Sequence, residues 1–187
     1  MAGPRALFKV ITMNRRTMLG HGLGLGGAMV LLAACATNSA PQVDSSGQPL
    51  PQVYKINGGN QNNIPFRLLD SVNTLRAAKG APALSFNAAL NAAALTHSRD
   101  MSVQNRPWHF GSDGSSPLIR VQRVGYTGKL LGELISETYQ TELETLSAWM
   151  AQTDTREVIL DPAAREAGFA WYQEENGKIW WTLVTGG

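Results

Sequence analysis

Cysteine and histidine are scarce in this chain of 187 residues. Cys35 is the only cysteine, which excludes an intramolecular disulfide and a zinc site built from cysteines. His97 and His109 are the only histidines after it. A domain without disulfides must be held together by its hydrophobic core, and the roughly 120 residues from Ile64 onward are enough for one self-supporting domain.

Positive charge is also in short supply once the first 34 residues are set aside. Four of the 16 Lys and Arg side chains precede Cys35, whereas all 14 acidic side chains follow it. The chain from Cys35 onward therefore has a slight acidic excess. Nucleic-acid binding requires a basic patch on the folded domain, so we expect no nucleic-acid partner.

The first 34 residues have the layout of a secretory signal peptide. Arg15 and Arg16 precede an apolar run over residues 18–34 that is too short and glycine-rich to favour a membrane span. The run ends in Leu32-Ala33-Ala34-Cys35, which resembles the lipobox of a bacterial lipoprotein signal. The resemblance implies that an acyl chain such as palmitate is attached to Cys35 and that the chain is cut just before it. An unmodified cysteine in an ordinary signal is the alternative.

The export route and the start of the chain stay open at this point. Residues 14–19 resemble a weak twin-arginine signal, which would imply export after folding, but Arg-Arg pairs also occur in ordinary signals. Met13 lies at the usual distance from the arginine pair, so residues 1–12 would be an extension if the chain starts there. Ala36 is not the aspartate associated with inner-membrane retention, which favours an anchor on the periplasmic side of the outer membrane.

Residues 36–63 are rich in Pro, Gln, Asn, Ser and Gly and contain few large apolar side chains. This composition predicts a flexible tether. The sequence therefore predicts a signal peptide over residues 1–34, a lipid anchor and tether over residues 35–63, and a domain over residues 64–187.

Apolar periodicity and capping residues predict a mixture of helices and strands in the domain. Helices are predicted over residues 65–76, after the Asn87 cap, after a cap at Ser115 or Ser116, and over residues 141–150 and 155–160. Leu118 and Leu143 are expected on the buried faces of two of them. Alternating runs over residues 167–173 and 178–184, joined by Asn176-Gly177, predict a C-terminal β-hairpin. This order of elements favours an α+β fold.

The residues most typical of a polar site lie between His109 and Glu133. Glu133 lies among apolar residues and needs a partner if it is buried. His109 has two interpretations: a general base or ligand whose tautomer Glu133 fixes, or a structural anchor for the turn-rich loop over residues 111–116. The sequence leaves both open.

Three serines close to His109 raise the hypothesis of a serine hydrolase. A nucleophilic serine usually lies on a strained Gly-x-Ser-x-Gly turn, which this segment lacks. Asp113-Gly114 followed by Ser115, Ser116 and Pro117 is more typical of a turn leading into a helix cap. The sequence therefore disfavours serine catalysis and makes Asp113 a turn residue.

An ordered set of residues resembles the CAP superfamily, the SCP-like domain of cysteine-rich secretory proteins, antigen 5 and plant pathogenesis-related proteins. The set comprises Leu75-Arg76, Leu84-Ser85-Phe86-Asn87, His97-Ser98, His109 to Pro117, Gly132-Glu133, Ala148-Trp149-Met150 and Gly168-Phe169-Ala170. The similarity covers residues 66–184 and is greatest to the short bacterial branch. It implies a three-layer α-β-α sandwich with a C-terminal hairpin.

In that family two histidines and two acidic residues line a cleft that can hold a divalent cation. By the resemblance, His109 matches the first histidine and Glu133 the acidic residue of a Gly-Glu-Asn motif, whose asparagine is Leu134 here. Thr155 stands where the second histidine is expected. The second acidic residue has no clear match, although Glu137 is a candidate to reach the cleft.

This departure from the family pattern weakens the case for a metal. Zinc normally takes three or four ligands, and His109 and Glu133 supply two. We therefore expect no metal and no cofactor, or at most a weak site of those two residues completed by water. His97 lies along the predicted buried face of its helix and is expected to be structural.

Three classes of function follow from these observations. The first, which we favour, is a non-enzymatic envelope module that is tethered by Cys35 and binds a lipid, an apolar small ligand or an envelope protein. Sterol or lipid binding is permitted by the resemblance alone. The second is a hydrolase that uses His109 and Glu133, and the missing second histidine argues against it. The third is a purely structural envelope domain.

Overall fold

A computed structural model describes residues 53–187 of the chain. The predicted signal peptide, the lipobox at Cys35 and most of the predicted tether lie outside the described residues. The elements are α1 (Ile64–Ala77), β1 (Ser85–Phe86), α2 (Ala88–Gln104), α3 (Pro117–Arg123), β2 (Leu130–Thr138), α4 (Glu142–Ala151), α5 (Thr153–Leu160), β3 (Glu166–Gln173) and β4 (Ile179–Gly186). Over residues 53–187, every helix is too short or too polar to cross a membrane.

A four-stranded mixed sheet forms the centre of the domain, with the strand order β1-β3-β4-β2. β3 and β4 pair antiparallel, which confirms the predicted C-terminal hairpin. Gly177 at its turn has φ of 92°, a left-handed conformation that glycine adopts without steric cost. β2 pairs antiparallel with the other side of β4, and the two residues of β1 pair parallel with β3.

Helices cover both faces of this sheet, and β4 is therefore buried on both sides. Ile179, Trp181 and Leu183 of β4 join a core formed with α1, α4 and α5. Val184 joins a second core formed with α2 and α3. The structure is therefore an α+β sandwich of three layers, as the sequence predicted.

α2 packs on the sheet at very short range. A Cβ atom placed on Gly168 of β3 would lie 2.1 Å from the backbone carbonyl carbon of Leu90, so only glycine fits there. Ala93 and Ala94 of α2 are buried in the same layer. The small side chains of this helix thus bring its backbone close to the strands. The buried His97 of the same helix lies beside the site described below.

Capping residues set the helix boundaries much as the sequence predicted. The Asn87 side chain accepts hydrogen bonds from the backbone N–H groups of Ala89 and Leu90 at the start of α2. Ser116, rather than Ser115, caps α3. Thr141 and Glu144 form a reciprocal capping box at the start of α4.

Two predicted core positions are wrong. Leu118 is 51% exposed and Leu143 is 42% exposed. α3 turns Arg120 and Val121 inward, which leaves Leu118 on the outer side. α4 instead buries Glu142, Thr145, Leu146 and Trp149, which form one helical face that does not include Leu143. The Glu142 carboxylate on this face accepts a 2.7 Å hydrogen bond from Nε of Arg67 on α1.

β2 was not predicted as a strand from the sequence. Its apolar residues come in adjacent pairs, Leu130-Leu131 and Leu134-Ile135, rather than in strict alternation. The pairs arise because both faces of β2 contribute to a core: Leu131 and Leu134 pack on the α4–α5 side and Leu130 on the α2–α3 side. An alternating pattern is a signal for strands with only one buried face.

Residues that precede the predicted boundary at Ile64 also contact the domain. Tyr54 N–H donates to the Tyr139 carbonyl at 3.0 Å, and Ile56 N–H donates to the Gln173 side chain at 2.9 Å. The Tyr54 and Ile56 side chains pack against the core that includes Trp181. These residues belong to the folded unit because they supply it with both apolar surface and backbone hydrogen bonds.

Candidate functional site

Glu133 is at the centre of a buried polar cluster that joins three elements of the fold. Its side chain is 3% exposed, and its two oxygens accept hydrogen bonds of 2.9 and 2.7 Å from Nη2 of Arg120. His109 Nδ1 lies 2.9 Å from the carboxylate. Arg120 Nη1 also donates to the backbone carbonyls of His109 and Ser115. One buried ion pair thus joins β2, α3 and the loop that carries His109.

Three different elements place these side chains. Glu133 pairs with Val184 across the β2–β4 ladder, and residues opposite each other in a ladder share a face, so Glu133 points towards the α2–α3 layer. Arg120 lies in the last turn of α3, whose start is fixed by Ser116. His109 follows α2 in the loop that runs to α3.

The loop between α2 and α3 is fixed by two carboxylates. Asp100 of α2 accepts hydrogen bonds from the backbone N–H and the hydroxyl of Ser112. Asp113 accepts from the backbone N–H of Ser115 and pairs with Arg123. The hydrogen bonds from Ser115 and Arg123 hold the pKa of the Asp113 carboxyl well below its usual range. Each of these polar side chains has a local structural partner, so none is a free nucleophile.

His97 approaches Glu133 from the other side. Its Nε2 is 3.0 Å from the carbonyl oxygen of Trp108 and 3.6 Å from Oε1 of Glu133, and the side chain is fully buried. Burial lowers the pKa of the His97 imidazole, and the nearby Glu133 carboxylate opposes this effect only in part. The ring is therefore predominantly neutral at neutral pH, which agrees with a structural role for a residue that nonetheless borders the site.

Arg120 has no predicted role in the site, although one signal in the sequence indicates a partner of its kind. A carboxylate among apolar residues needs a cation or several donors when it is buried, and arginine suits this task because its planar guanidinium binds both carboxylate oxygens. The proximity of His97 to Glu133 had no comparable signal, because it depends on how α2 lies across the sheet.

The structure does not bring Thr155 to this cluster. Its hydroxyl donates to the backbone carbonyl of Trp149 at the junction of α4 and α5, in the layer on the other face of the sheet. Glu137 is on the same face of β2 as Glu133, but its carboxylate binds Nζ of Lys178 at 2.8 Å. Neither residue contributes a ligand to the His109–Glu133 pair.

Glu133 is ionised in this environment. Burial alone would raise the pKa of its carboxyl, but the hydrogen bond from His109 and the charge and hydrogen bonds of Arg120 outweigh burial, and the net pKa is lowered. The charged carboxylate and the charged guanidinium neutralise each other, so the cluster is close to neutral while His109 is unprotonated.

This arrangement does not fit the cation-holding cleft of the family that the sequence resembles. Within residues 53–187, no group of three or more His, Cys, Asp or Glu side chains is placed to hold a metal ion. A divalent cation at Glu133 would have to displace the Arg120 guanidinium or sit beside its positive charge. The donors present therefore make a poor metal centre.

His109 is the part of the cluster that reaches solvent. Its side chain is 50% exposed, and the hydrogen bond to Glu133 assigns the proton to Nδ1 when the ring is neutral. Nε2 then has a free lone pair. It can accept a hydrogen bond from a ligand or take a proton from water, and no described residue competes for it.

Known proteins of similar sequence point to one family. The family model for cysteine-rich secretory proteins (CAP) matches residues 69–185. The uncharacterized protein YkwD of Bacillus subtilis strain 168 is 28% identical over 114 residues, which are 61% of this chain and 44% of that protein. The chain thus spans less than half the length of this relative.

Solved structures share the fold at low sequence identity. An outer surface protein from Borrelia burgdorferi superposes with a TM-score of 0.63 at 13% identity, covering 72% of this chain and 98% of that one. An extracellular protein with an SCP domain from Bacillus anthracis strain Ames superposes with a TM-score of 0.59 at 19% identity, covering 70% of this chain and 44% of that one. With the family match over most of the folded domain, the conclusion is that the chain belongs to the cysteine-rich secretory protein (CAP) family.

Proposed function

We propose that this protein is a lipid-anchored binding module of the bacterial cell envelope, without catalytic activity. Its domain binds a lipid, an apolar small ligand or an envelope protein beside His109, and Cys35 carries the anchor. The observation that carries this proposal is the state of Glu133. Its buried carboxylate is occupied by Arg120, which makes the cluster rigid and nearly neutral.

Rigidity of this kind supports recognition more than chemistry. Glu133 is held by Arg120 and His109 and is shielded from solvent, so it is poorly placed to bind a metal or to act as a nucleophile. His109 presents one oriented acceptor, Nε2, at the surface. A preorganised acceptor beside the exposed Phe110 ring suits a ligand with both a hydrogen-bond donor and an apolar part.

Two observations support the location. Leu32-Ala33-Ala34-Cys35 has the residues of a lipobox. Proteins of the same fold include one described as an outer surface protein and one described as extracellular. The outer membrane is the proposed site of the anchor. Growth of a producing bacterium with a labelled palmitate should label the protein, and Cys35→Ser should abolish the label; equal labelling of both would refute the anchor.

Ligand binding near His109 is tested by site-specific crosslinking. A photoreactive residue at position 110, which is 48% exposed, should capture a discrete partner or lipid in cells. The control places the same group at position 103, which is 81% exposed on α2. A product at position 110 that His109→Ala removes would support the binding module. Identical patterns at both positions would favour a purely structural domain.

A hydrolase is the second candidate, because one feature of the geometry favours it. The Glu133 carboxylate orients Nδ1–H of His109 and leaves Nε2 free, which is how a general base is arranged when it activates water. Hydrolysis of p-nitrophenyl acetate and of a peptide library by the purified protein tests this candidate. Turnover that His109→Ala abolishes and Ser112→Ala leaves intact would replace our proposal with a water-activating hydrolase.

A further inference from the structure

A cavity lies at the far end of β2 from His109. It has a volume of about 870 Å³ and opens to solvent between the start of the described chain and the β2–α4 connection. Tyr54, Glu137, Tyr139, Gln140 and Glu144 are among its lining residues. None of them contacts the His109–Glu133 cluster.

Two tyrosines give this cavity its aromatic surface. Tyr139 is 43% exposed, and its backbone carbonyl accepts the 3.0 Å hydrogen bond from Tyr54 N–H that joins the two lining segments. The Tyr54 hydroxyl accepts a 3.3 Å hydrogen bond from Nη2 of Arg67, which fixes the position of its ring. The cavity therefore has an aromatic ring on each of the two segments, and the hydrogen bond from Arg67 holds the Tyr54 ring in place.

Polar groups with unused hydrogen-bonding capacity surround the two rings. Glu144 uses Oε2 to accept from the N–H and hydroxyl of Thr141, and no described residue donates to its Oε1. Glu137 uses Oε1 for Lys178. The side-chain amide of Gln140 bonds to no other described residue and offers both a donor and an acceptor.

The charges around the cavity balance. Glu137 and Glu144 contribute two negative charges, and Lys55 in the lining and Lys178 beside Glu137 contribute two positive ones. A strongly charged ligand would therefore gain little net attraction here. A neutral ligand with many hydroxyl groups and apolar C–H faces matches both the balanced charge and the mixture of aromatic and polar surface.

We propose that this cavity binds a neutral oligosaccharide of about two or three rings, with a sugar face stacked on Tyr139 and its hydroxyls bonded to Gln140, Glu137 and Glu144. The volume has room for a ligand of this size, since ligand sites of roughly 300–1,000 Å³ suit drug-sized ligands. The site is separate from His109, so the protein would hold one ligand at each end of β2.

The test titrates the full chain with triacetylchitotriose and maltotriose and follows the binding by isothermal calorimetry and by the amide NMR signals of residues 137–141. Choline and glucuronate serve as charged probes. We expect saturable binding of at least one trisaccharide. Tyr139→Ala should weaken it about tenfold through the lost stacking surface, and Gln140→Ala about fivefold through a lost hydrogen bond.

Matched controls make the result specific. Tyr172→Ala removes a tyrosine that is 39% exposed on β3 outside the cavity and should leave the affinity unchanged, as should His109→Ala. The proposal is overturned if no trisaccharide binds up to about 10 mM, if Tyr139→Ala and Tyr172→Ala behave alike, or if only choline or glucuronate binds. If Tyr139→Ala unfolds, Gln140→Ala decides alone.

Discussion

Two buried arginines on opposite faces of the sheet are held in different ways. Arg76 of α1 is fully buried and donates only to backbone carbonyls, at distances of 2.7 to 3.0 Å. Arg120 of α3 is 5% exposed and binds the Glu133 carboxylate as well as two carbonyls. The acceptors of Arg76 are the backbone carbonyls of Pro82, Ile159, Asp161 and Ala164.

The difference separates a structural cation from a cation that forms part of a site. Arg76 ties the connection after α1 to the end of α5, and burial lowers the pKa of its guanidinium because no carboxylate pairs with it directly. Arg120 neutralises a buried carboxylate next to an exposed imidazole. The first arginine stabilises loops, whereas the second creates the electrostatic setting in which His109 meets solvent.

Removing the structural arginine should have the largest effect. Arg76→Ala would remove four hydrogen bonds to backbone carbonyls, two of them buried, and would empty the space of a fully buried side chain. We expect it to lower the free energy of unfolding by about 5 kcal/mol. Denaturant unfolding followed by tryptophan fluorescence measures this change. Arg165→Ala, which removes a more exposed arginine from the same region, is the control; an equal loss in both would show that the bonds of Arg76 are not what matters.

Arg120→Met should cost about 3 kcal/mol, because it leaves Glu133 charged and unpaired in a buried position. The comparison with Arg76 becomes sharper in a double-mutant cycle. Arg120→Met combined with Glu133→Gln removes both charges, and we expect the double variant to be more stable than Arg120→Met alone. Additive losses in the same unfolding experiment would mean that the ion pair contributes no coupling energy.

Acid should lower the free energy of unfolding through the protonation of His97. Because the pKa of His97 is lower in the folded protein, its proton binds preferentially to the unfolded chain, and stability falls as pH drops through the unfolded value of about 6.5. The slope should reach at most about 1.4 kcal/mol per pH unit. Glu133, whose folded pKa is also lowered, adds a loss only at lower pH, below about 4.5.

Unfolding at pH 5.5, 6.5 and 7.5 checks this expectation. His97→Gln retains a side-chain donor for the Trp108 carbonyl but does not titrate, so its stability should change less between these pH values. A pH dependence identical to that of the unmodified protein would assign the effect to another group.

His109→Ala should change stability by only about 1 kcal/mol, since the ring is half exposed and Glu133 keeps Arg120 as its partner. Calorimetric titration of the unmodified protein and of His109→Ala with zinc and magnesium should show no binding in either. A stability loss of about 3 kcal/mol would instead identify His109 as the anchor of its loop. Micromolar zinc affinity that the substitution removes would restore a metal site.

The smallest effect is expected from Thr155→His. This change supplies the histidine that the family pattern has at the matching position, but the residue lies at the α4–α5 junction with its hydroxyl bonded to the Trp149 carbonyl. We expect no gain in zinc affinity by calorimetry and a small loss of stability. Tight zinc binding by this variant would mean that the junction can bring its side chain to Glu133.

Local signals in the sequence predicted much of the fold. Asn87, Ser116 and Thr141 act as helix caps because their side chains bond to backbone N–H groups two or three residues away, which neighbouring sequence is enough to specify. Asn176-Gly177 specified the hairpin for the same reason. β2 escaped prediction because the burial of both its faces, and hence its pattern of paired leucines, depends on two separate layers of helices.

The same distinction between local signals and tertiary packing applies to the candidate site. The sequence by itself singled out His109 and Glu133 as the distinctive polar residues of the domain and indicated that Glu133 needs a partner if it is buried. Only the tertiary structure decided that this partner is Arg120 and that His97 borders the same carboxylate. Hydrogen bonds to near neighbours are encoded locally, whereas an ion pair between a strand and a helix forms only after the sheet and its covering layers have packed together.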